Sequence, residues 1–323
     1  MPMSSGAKKL LAGVVAVALV AVVVSRNNDD SDKSSSPETS ATQKIEPSFN
    51  PDWSNQTRRS RPTIDQSQVG GGNLGRAASG QRVRQDSSIP QKRKIIRNSQ
   101  DFEYLEAGDQ IAPGGKYFIE DLDGNFGECS WGWTVINPDD TDHVYNLTAG
   151  HCGSKRDKVY LRADNGEYVN VGEFVWSVLD GTMENVGPGR DYGLIEIYPK
   201  YYKIIHTTPD VAWGGVPTSV KGSWGPEELE QNRPYTCRLG WRSGLSCGDY
   251  QSMVSKYSLE FDGIQDHGDS GGIVWATAPN DSSHATAYAV GIASYGREDD
   301  ATTPGAKVIQ PVLDSFGLQL VTS

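Results

Sequence analysis

The sequence lacks the features that several common readings require. It has four cysteines in 323 residues, all at or beyond position 129, and no C-x-x-C pair. His151 is the only histidine beside a cysteine, so no structural zinc ligand set is present, and neither a metal nor a cofactor is expected. Long apolar runs are absent too, and the longest is short for a bilayer. The longest, residues 10–24, would make about 22 Å of helix against a hydrocarbon core of about 30 Å. There is no internal repeat and no basic surplus. With 30 Lys+Arg against 41 Asp+Glu the net charge is −11, which argues against nucleic acid as a partner. Glycine and proline are plentiful (36 and 17), favouring turns over long helices.

The charge is unevenly placed. Residues 1–100 carry 15 basic against 8 acidic side chains, a net +7, so the remainder carries 15 against 33, a net −18. Lys8 and Lys9 precede the apolar run, and Ser25 and Arg26 follow it. A positive flank ahead of a short apolar segment is the pattern of an export signal, so residues 1–26 are read as a signal peptide or an uncleaved anchor. The rest would then be secreted, or held on the outer face of the cytoplasmic membrane with possible cell-envelope association. Between residues 27 and 100 only 13 of 74 residues are hydrophobic, with basic clusters at Arg58-Arg59 and Lys92-Arg93-Lys94. Such a stretch cannot bury enough apolar surface to offset its ordering entropy, so residues 27–105 are expected to be a disordered basic tether or pro-segment.

Beyond about residue 106 short apolar or aromatic runs recur, at 117–119, 131–136, 173–176, 192–197, 273–275, 287–293 and 307–309. They are rich in β-branched and aromatic residues and too short for stable helices. Turn signals such as Asp164-Asn165-Gly166 and Gly187-Pro188-Gly189 separate them. Only residues 312–320, after Pro311, could form a short helix. Residues 106–323 are therefore an expected all-β domain, with room for one substantial core or two coupled barrels. In an exported chain four cysteines imply two disulfides, with three pairings open. Proximity favours Cys129–Cys152 and Cys237–Cys247, each contributing about 2–4 kcal/mol.

Two segments bear chemistry. Thr148-Ala149-Gly150-His151-Cys152 follows an apolar run, and Gly268-Asp269-Ser270-Gly271-Gly272 precedes one. A serine hydroxyl is a poor nucleophile at neutral pH until an imidazole takes its proton, and the oxyanion that forms needs backbone N–H donors. His151 is the candidate base and Ser270 the candidate nucleophile. The glycines flanking Ser270 let the backbone aim the Gly268 and Ser270 amides into one hole. The third member must be a carboxylate that holds one imidazole tautomer. Asp191 opens an apolar run and lies between the other two, whereas Asp164, Asp180 and Asp210 sit in polar contexts.

These motifs, in His, Asp, Ser order, resemble those of the chymotrypsin superfamily of serine proteases. Cys237-Arg238-Leu239-Gly240-Trp241-Arg242-Ser243-Gly244-Leu245-Ser246-Cys247-Gly248 is similar to a loop of the bacterial streptogrisin-like secreted branch. The likeness runs from about residue 107 to the C-terminus. It implies two six-stranded antiparallel β-barrels, about 106–205 and 235–320, with a short C-terminal helix and a site in the cleft between them. It implies an exported serine endopeptidase, monomeric, acting on protein or peptide substrates through an acyl-enzyme on Ser270. The segment Ser294-Tyr295-Gly296 would pair with the substrate backbone, the Ser294 side chain would support Asp191, and an ion pair between Arg238 and Asp269 would hold the oxyanion loop.

The chain also departs from that branch. Ile264 stands where a cysteine is expected, and no partner cysteine follows Gly296. If the loop before Ser270 is short, Ile264 forms the base of the specificity pocket and apolar side chains are preferred. With the longer bacterial spacing the base lies nearer Asp262, which favours Lys or Arg. His267 at the pocket rim is open to two readings, a pH-sensitive contact or an exposed imidazole with no role, and His143, His206 and His284 have no partnering motif and are read as surface or packing residues. An adhesion module that kept the barrels but lost catalysis is the alternative of another class, and a protease confined to cutting near residues 92–94 is a third.

Overall fold

The computed structural model describes residues 63–64, 96–98 and 100–322, apart from 164, 184, 214–215 and 298–299. The expected signal or anchor and most of the expected tether lie outside the described residues.

The body begins earlier than residue 106. Strand β1 (Ile96–Asn98) pairs antiparallel with Leu245, Ser246 and Cys247, and a 3-10 helix follows over Gln100–Ala107. Phe102 and Leu105 on that helix are buried in the core. The tether assigned to 27–105 therefore ends too late. Its low average hydropathy hides Phe102 and Leu105, which do bury apolar surface. Thr63–Ile64 also forms a short parallel pairing with Ala212–Trp213.

The first barrel uses β2 (Lys116–Glu120), β3 (Phe126–Ser130), β4 (Trp133–Asn137), β5 (Asp140–Thr148), β6 (Lys158–Arg162), β7 (Tyr168–Leu179) and β8 (Asp191–Ile197). The antiparallel order is β4-β5-β8-β7-β6-β2-β3. Only Trp131 and Gly132 separate β3 from β4, so one bent strand joins both ends of the sheet and closes it as a six-stranded barrel. A Cβ at Gly132 would lie 1.9 Å from the Leu147 carbonyl oxygen, so the bend admits no side chain there. The expected continuous run 131–136 is broken at this corner.

The second half holds β9 (Ser219–Ser223), helix α1 (Pro226–Asn232), β10 (Tyr235–Gly240), β11 (Gly244–Ser255), β12 (Ser258–Phe261), β13 (Ile273–Thr277), β14 (Thr286–Arg297) and β15 (Asp300–Val308). Antiparallel pairings run β10-β11-β12-β15-β14-β13 and return to β10, closing a second six-stranded ring. The all-β, two-barrel architecture is present as expected. Helix α1 was not expected; Pro226 opens it and the Glu228 carboxylate accepts the Gly225 N–H at 2.9 Å.

The C-terminal helix is α2 (Gln310–Phe316), not 312–320. Pro311 suits its first turn, and Gly317 at φ +62 ends it. The chain then returns to the first barrel, where β16 (Gln319–Leu320) pairs with β4. The second barrel thus does not extend to residue 320.

Each barrel has its own apolar filling: Tyr117, Val144, Phe174 and Ile195 in the first, Leu259, Phe261, Val274 and Val308 in the second. A further cluster is shared. Trp133, Leu147 and Leu194 pack in one core with Leu239, Trp275 and Ile292. Hydrogen bonds cross the same seam: Trp133 Nε1 donates to Gly291 O at 2.8 Å and Tyr192 Oη to Val308 O at 2.8 Å.

Candidate active site

His151 lies in a single 3-10 turn, Gly150–Cys152, immediately after β5. Gly150 lets that turn press on the neighbouring strands, since a Cβ there would lie 2.2 Å from Val178 O and 2.6 Å from Tyr192 O. Asp191 is the first residue of β8 and is fully buried. Its Oδ2 lies 2.7 Å from His151 Nδ1, and its Oδ1 accepts the His151 backbone N–H at 2.8 Å. Ser294 Oγ donates to the same Oδ2 at 2.5 Å. Burial alone would raise the Asp191 carboxyl, but the bonds from His151 and Ser294 outweigh it and hold the group below its ordinary range. An ionised carboxylate at Nδ1 fixes the tautomer that leaves Nε2 as an acceptor.

The expected nucleophile loop is held from several sides. The Arg238 Nη1 and Asp269 Oδ1 atoms are 3.1 Å apart, both side chains fully buried. Asp269 also accepts the backbone N–H groups of Ser243 (2.9 Å), Arg242 (3.1 Å) and Asp266 (2.8 Å), and the Ser243 hydroxyl. Burial pushes the Arg238 guanidinium down, and Asp269 opposes that shift. A desolvated pair of this kind is tolerable because Asp269 takes four further donors and Arg238 donates through Nε and Nη2, although Nη1 has only the ion pair.

The loop backbone has a distinctive pattern of paired and unpaired donors. The N–H of Asp269 donates to Asp266 O at 3.0 Å, that of Gly271 to Ala293 O at 2.8 Å and that of Gly272 to Asp269 O at 2.9 Å. Among the described residues the N–H groups of Gly268 and Ser270 have no such acceptor. Gly268 takes φ +98 and Gly271 φ +81, conformations that favour glycine. A Cβ on Gly268 would come 2.6 Å from the Trp241 ring.

Ser130 and the adjoining disulfide join the two segments. Ser130 N–H donates to Ser270 O at 2.8 Å and its hydroxyl to Gly268 O at 2.8 Å, while Trp241 N–H donates to that hydroxyl at 3.0 Å. The preceding residue, Cys129, is disulfide-bonded to Cys152, the neighbour of His151. Ser270 is thereby brought beside the His151 turn. The Ser270 hydroxyl has no hydrogen bond to the imidazole among the described residues, a contact that in uncomplexed enzymes often tightens only when substrate binds. The second disulfide is Cys237–Cys247, across the β10–β11 pair. Both pairings match expectation. Although Cys129, His151 and Cys152 cluster within 4.8 Å, the sulfurs are bonded to each other and offer no thiolate to a metal.

Of the expected substrate contacts, Ser294 supports Asp191 as anticipated. The Tyr295 ring lies on Gly305, and its carbonyl accepts Gln265 Nε2 at 2.9 Å. Gly296 is exposed. The register of β13 with β14 ends at Ile273–Ile292, so residues 294–296 run beyond the end of β13. Ile264 is buried, with its carbonyl accepting Arg238 Nε at 2.8 Å and its N–H donating to Ser246 Oγ at 2.7 Å. Asp262 is buried against Gly248 of β11. Ser130, Trp241, Ser243 and Gln265 were not anticipated as members of this site. Ser130 and Ser243 do adjoin its motifs in sequence, and that adjacency is the only signal they carry.

Among solved structures the chain is similar to Thermobifida fusca protease A, at 26% identity over 66% of this chain and 99% of that one, with a TM-score of 0.46. It is also similar to Nocardiopsis protease, at 22% identity over 66% and 99% of the two chains (TM-score 0.45), and to Cellulomonas bogoriensis chymotrypsin, at 18% identity over 66% and 99% (TM-score 0.42). No family model matches the chain, and no curated protein matches it.

Proposed function

We propose that the protein is an exported serine endopeptidase. The observation that carries the reading is the combination of a buried carboxylate on His151 Nδ1 with two unpaired amides, Gly268 and Ser270, on either side of a buried and paired Asp269. That arrangement suits acyl transfer and little else.

In this reading Ser270 Oγ attacks the scissile carbonyl carbon while His151 Nε2 takes the hydroxyl proton. The carbonyl π pair moves onto oxygen, where the Gly268 and Ser270 amides receive it. Collapse expels the amine, which takes its proton from the imidazolium, and leaves an ester on Ser270. Water then repeats the sequence, with His151 as base again, and frees the acid. Asp191 stays ionised throughout and stabilises the imidazolium. Since the Tyr295 carbonyl is turned to Gln265, strand alternation leaves Ser294 and Gly296 to present backbone groups to an extended peptide. The short apolar segment behind Lys8 and Lys9 and the two disulfides support action outside the cytoplasm.

A fluorophosphonate probe tests the reading directly. A covalent adduct on Ser270, absent from Ser270→Ala, is expected. A folded wild-type protein that stays unlabelled is an adhesion module rather than an enzyme.

A further inference from the structure

Lys307 is a buried cation that the chemistry above does not use. It stands on β15, is wholly buried, and has no carboxylate within ion-pair reach among the described residues. Its three N–H groups instead face four acceptors, the carbonyls of Val186 (2.6 Å), Gly187 (3.0 Å) and Gly189 (2.8 Å) and Ser258 Oγ (2.8 Å), so one N–H is shared between two of them. The Tyr295 ring centroid lies 4.8 Å from it. All three carbonyls belong to the loop that runs directly into Asp191. Their oxygens converge on one point and would repel each other without a cation between them. The outer side of the same loop is fixed separately: Arg190 Nε and Nη2 donate to the Asp180 carboxylate at 2.8 and 2.9 Å.

We propose that Lys307 is a positioning residue for the triad carboxylate, its ammonium gathering the 186–189 carbonyls and so fixing the point from which Asp191 reaches His151. The inference rests on the protease reading for its effect on rate, though not for its effect on the loop. Burial pushes the ammonium down to about 8, with Asp191 and Asp180 opposing. Deprotonation removes one donor and turns a lone pair toward the carbonyls, so the loop loosens as pH rises through that value.

The other charged and titratable groups around Lys307 come from four segments. The loop and β8 bring Asp180, Arg190, Asp191 and Tyr192; β12 brings Glu260 beside Ser258, with Tyr257 just ahead of it; β14 brings Tyr295. Asp180 and Asp191 are held below the ordinary carboxylate range, Arg190 is raised by Asp180, and burial raises the Tyr192 phenol. None of these four changes charge near pH 8.

The test measures kcat/KM of the full chain on a peptide amide between about pH 6 and pH 10. Wild type should lose rate with a midpoint near 8. Ser258→Ala, which removes one acceptor of the ammonium, should move that midpoint to lower pH. Lys307→Met should lower kcat roughly tenfold or more, change KM less, and abolish the alkaline limb. Amide protection factors at residues 187–191 provide a readout independent of turnover. They should fall above pH 8 in wild type and be low at every pH in Lys307→Met. Unchanged protection, or an alkaline limb that survives in Lys307→Met, overturns the proposal. Should that variant not fold, the wild-type protection profile and the Ser258→Ala shift still decide it. A wild type that shows the protection change but never labels with the fluorophosphonate refutes the protease and leaves the role of Lys307 standing.

Discussion

At the scale of single residues, the site makes sharply different demands on neighbouring side chains. On the protease reading Ser270→Ala should lower turnover by about 10⁴ or more while leaving the fold intact, since among the described residues the hydroxyl has no hydrogen-bond partner. Asp191→Asn should cost about 10⁴ in kcat, because an amide accepts and donates and no longer enforces one imidazole tautomer. Both are read from steady-state kinetics beside a thermal unfolding curve. Asp191 also makes a stability prediction. Its folded carboxyl is held below the unfolded value of about 3.9, so its contribution is complete above that value and disappears as pH falls through the lower folded one. Denaturant midpoints measured from pH 6 down to pH 2 should therefore fall more steeply in wild type than in Asp191→Asn. The role of Ser270 as nucleophile belongs to the proposal, but the contact between His151 and Asp191 was legible in the sequence because each sits in a short motif beside an apolar strand. Lys307 was not. Its partners are carbonyls, which every residue carries, and they lie about 120 positions away, so no pattern of side chains announces them.

At the scale of elements, the proposed oxyanion loop depends on backbone shape, with Gly268 at φ +98 and Gly271 at φ +81. Gly268→Ala meets both a φ of +98 and the Trp241 ring at 2.6 Å. It should reduce kcat by about 10²–10³ with little change in substrate affinity, as loss of one oxyanion donor does elsewhere. A kcat/KM loss carried wholly by KM would instead show that the loop shapes a binding pocket. The two disulfides should behave differently when removed. Each is worth about 2–4 kcal/mol of stability, but only Cys129–Cys152 adjoins His151, so only its loss should depress activity well below the melting range. Strand positions were largely visible as short apolar runs between turn residues. The element ends were less so. The break at Trp131 and Gly132 is forced by a carbonyl of β5, and the stop of α2 at Gly317 is followed by a pairing with β4 on the far side of the chain. Both are contacts between distant segments, which local pattern does not encode.

At the scale of the whole molecule, the two barrels share a core, with Trp133 and Leu194 of one packed among Trp275 and Ile292 of the other. Neither can open without exposing that cluster. Calorimetry of the folded body should show one transition whose van't Hoff and calorimetric enthalpies agree, and two resolved transitions would show that the barrels are separable domains.

The Arg238–Asp269 pair has a consequence for control. Both charges come from inside the body, 31 positions apart, so on the proposed reading the latch beneath the oxyanion loop is set by folding alone. If the protease reading holds, a protein latched this way needs no new chain end to complete its oxyanion loop. Restraint then has to come from where the molecule is kept and from what can reach its cleft.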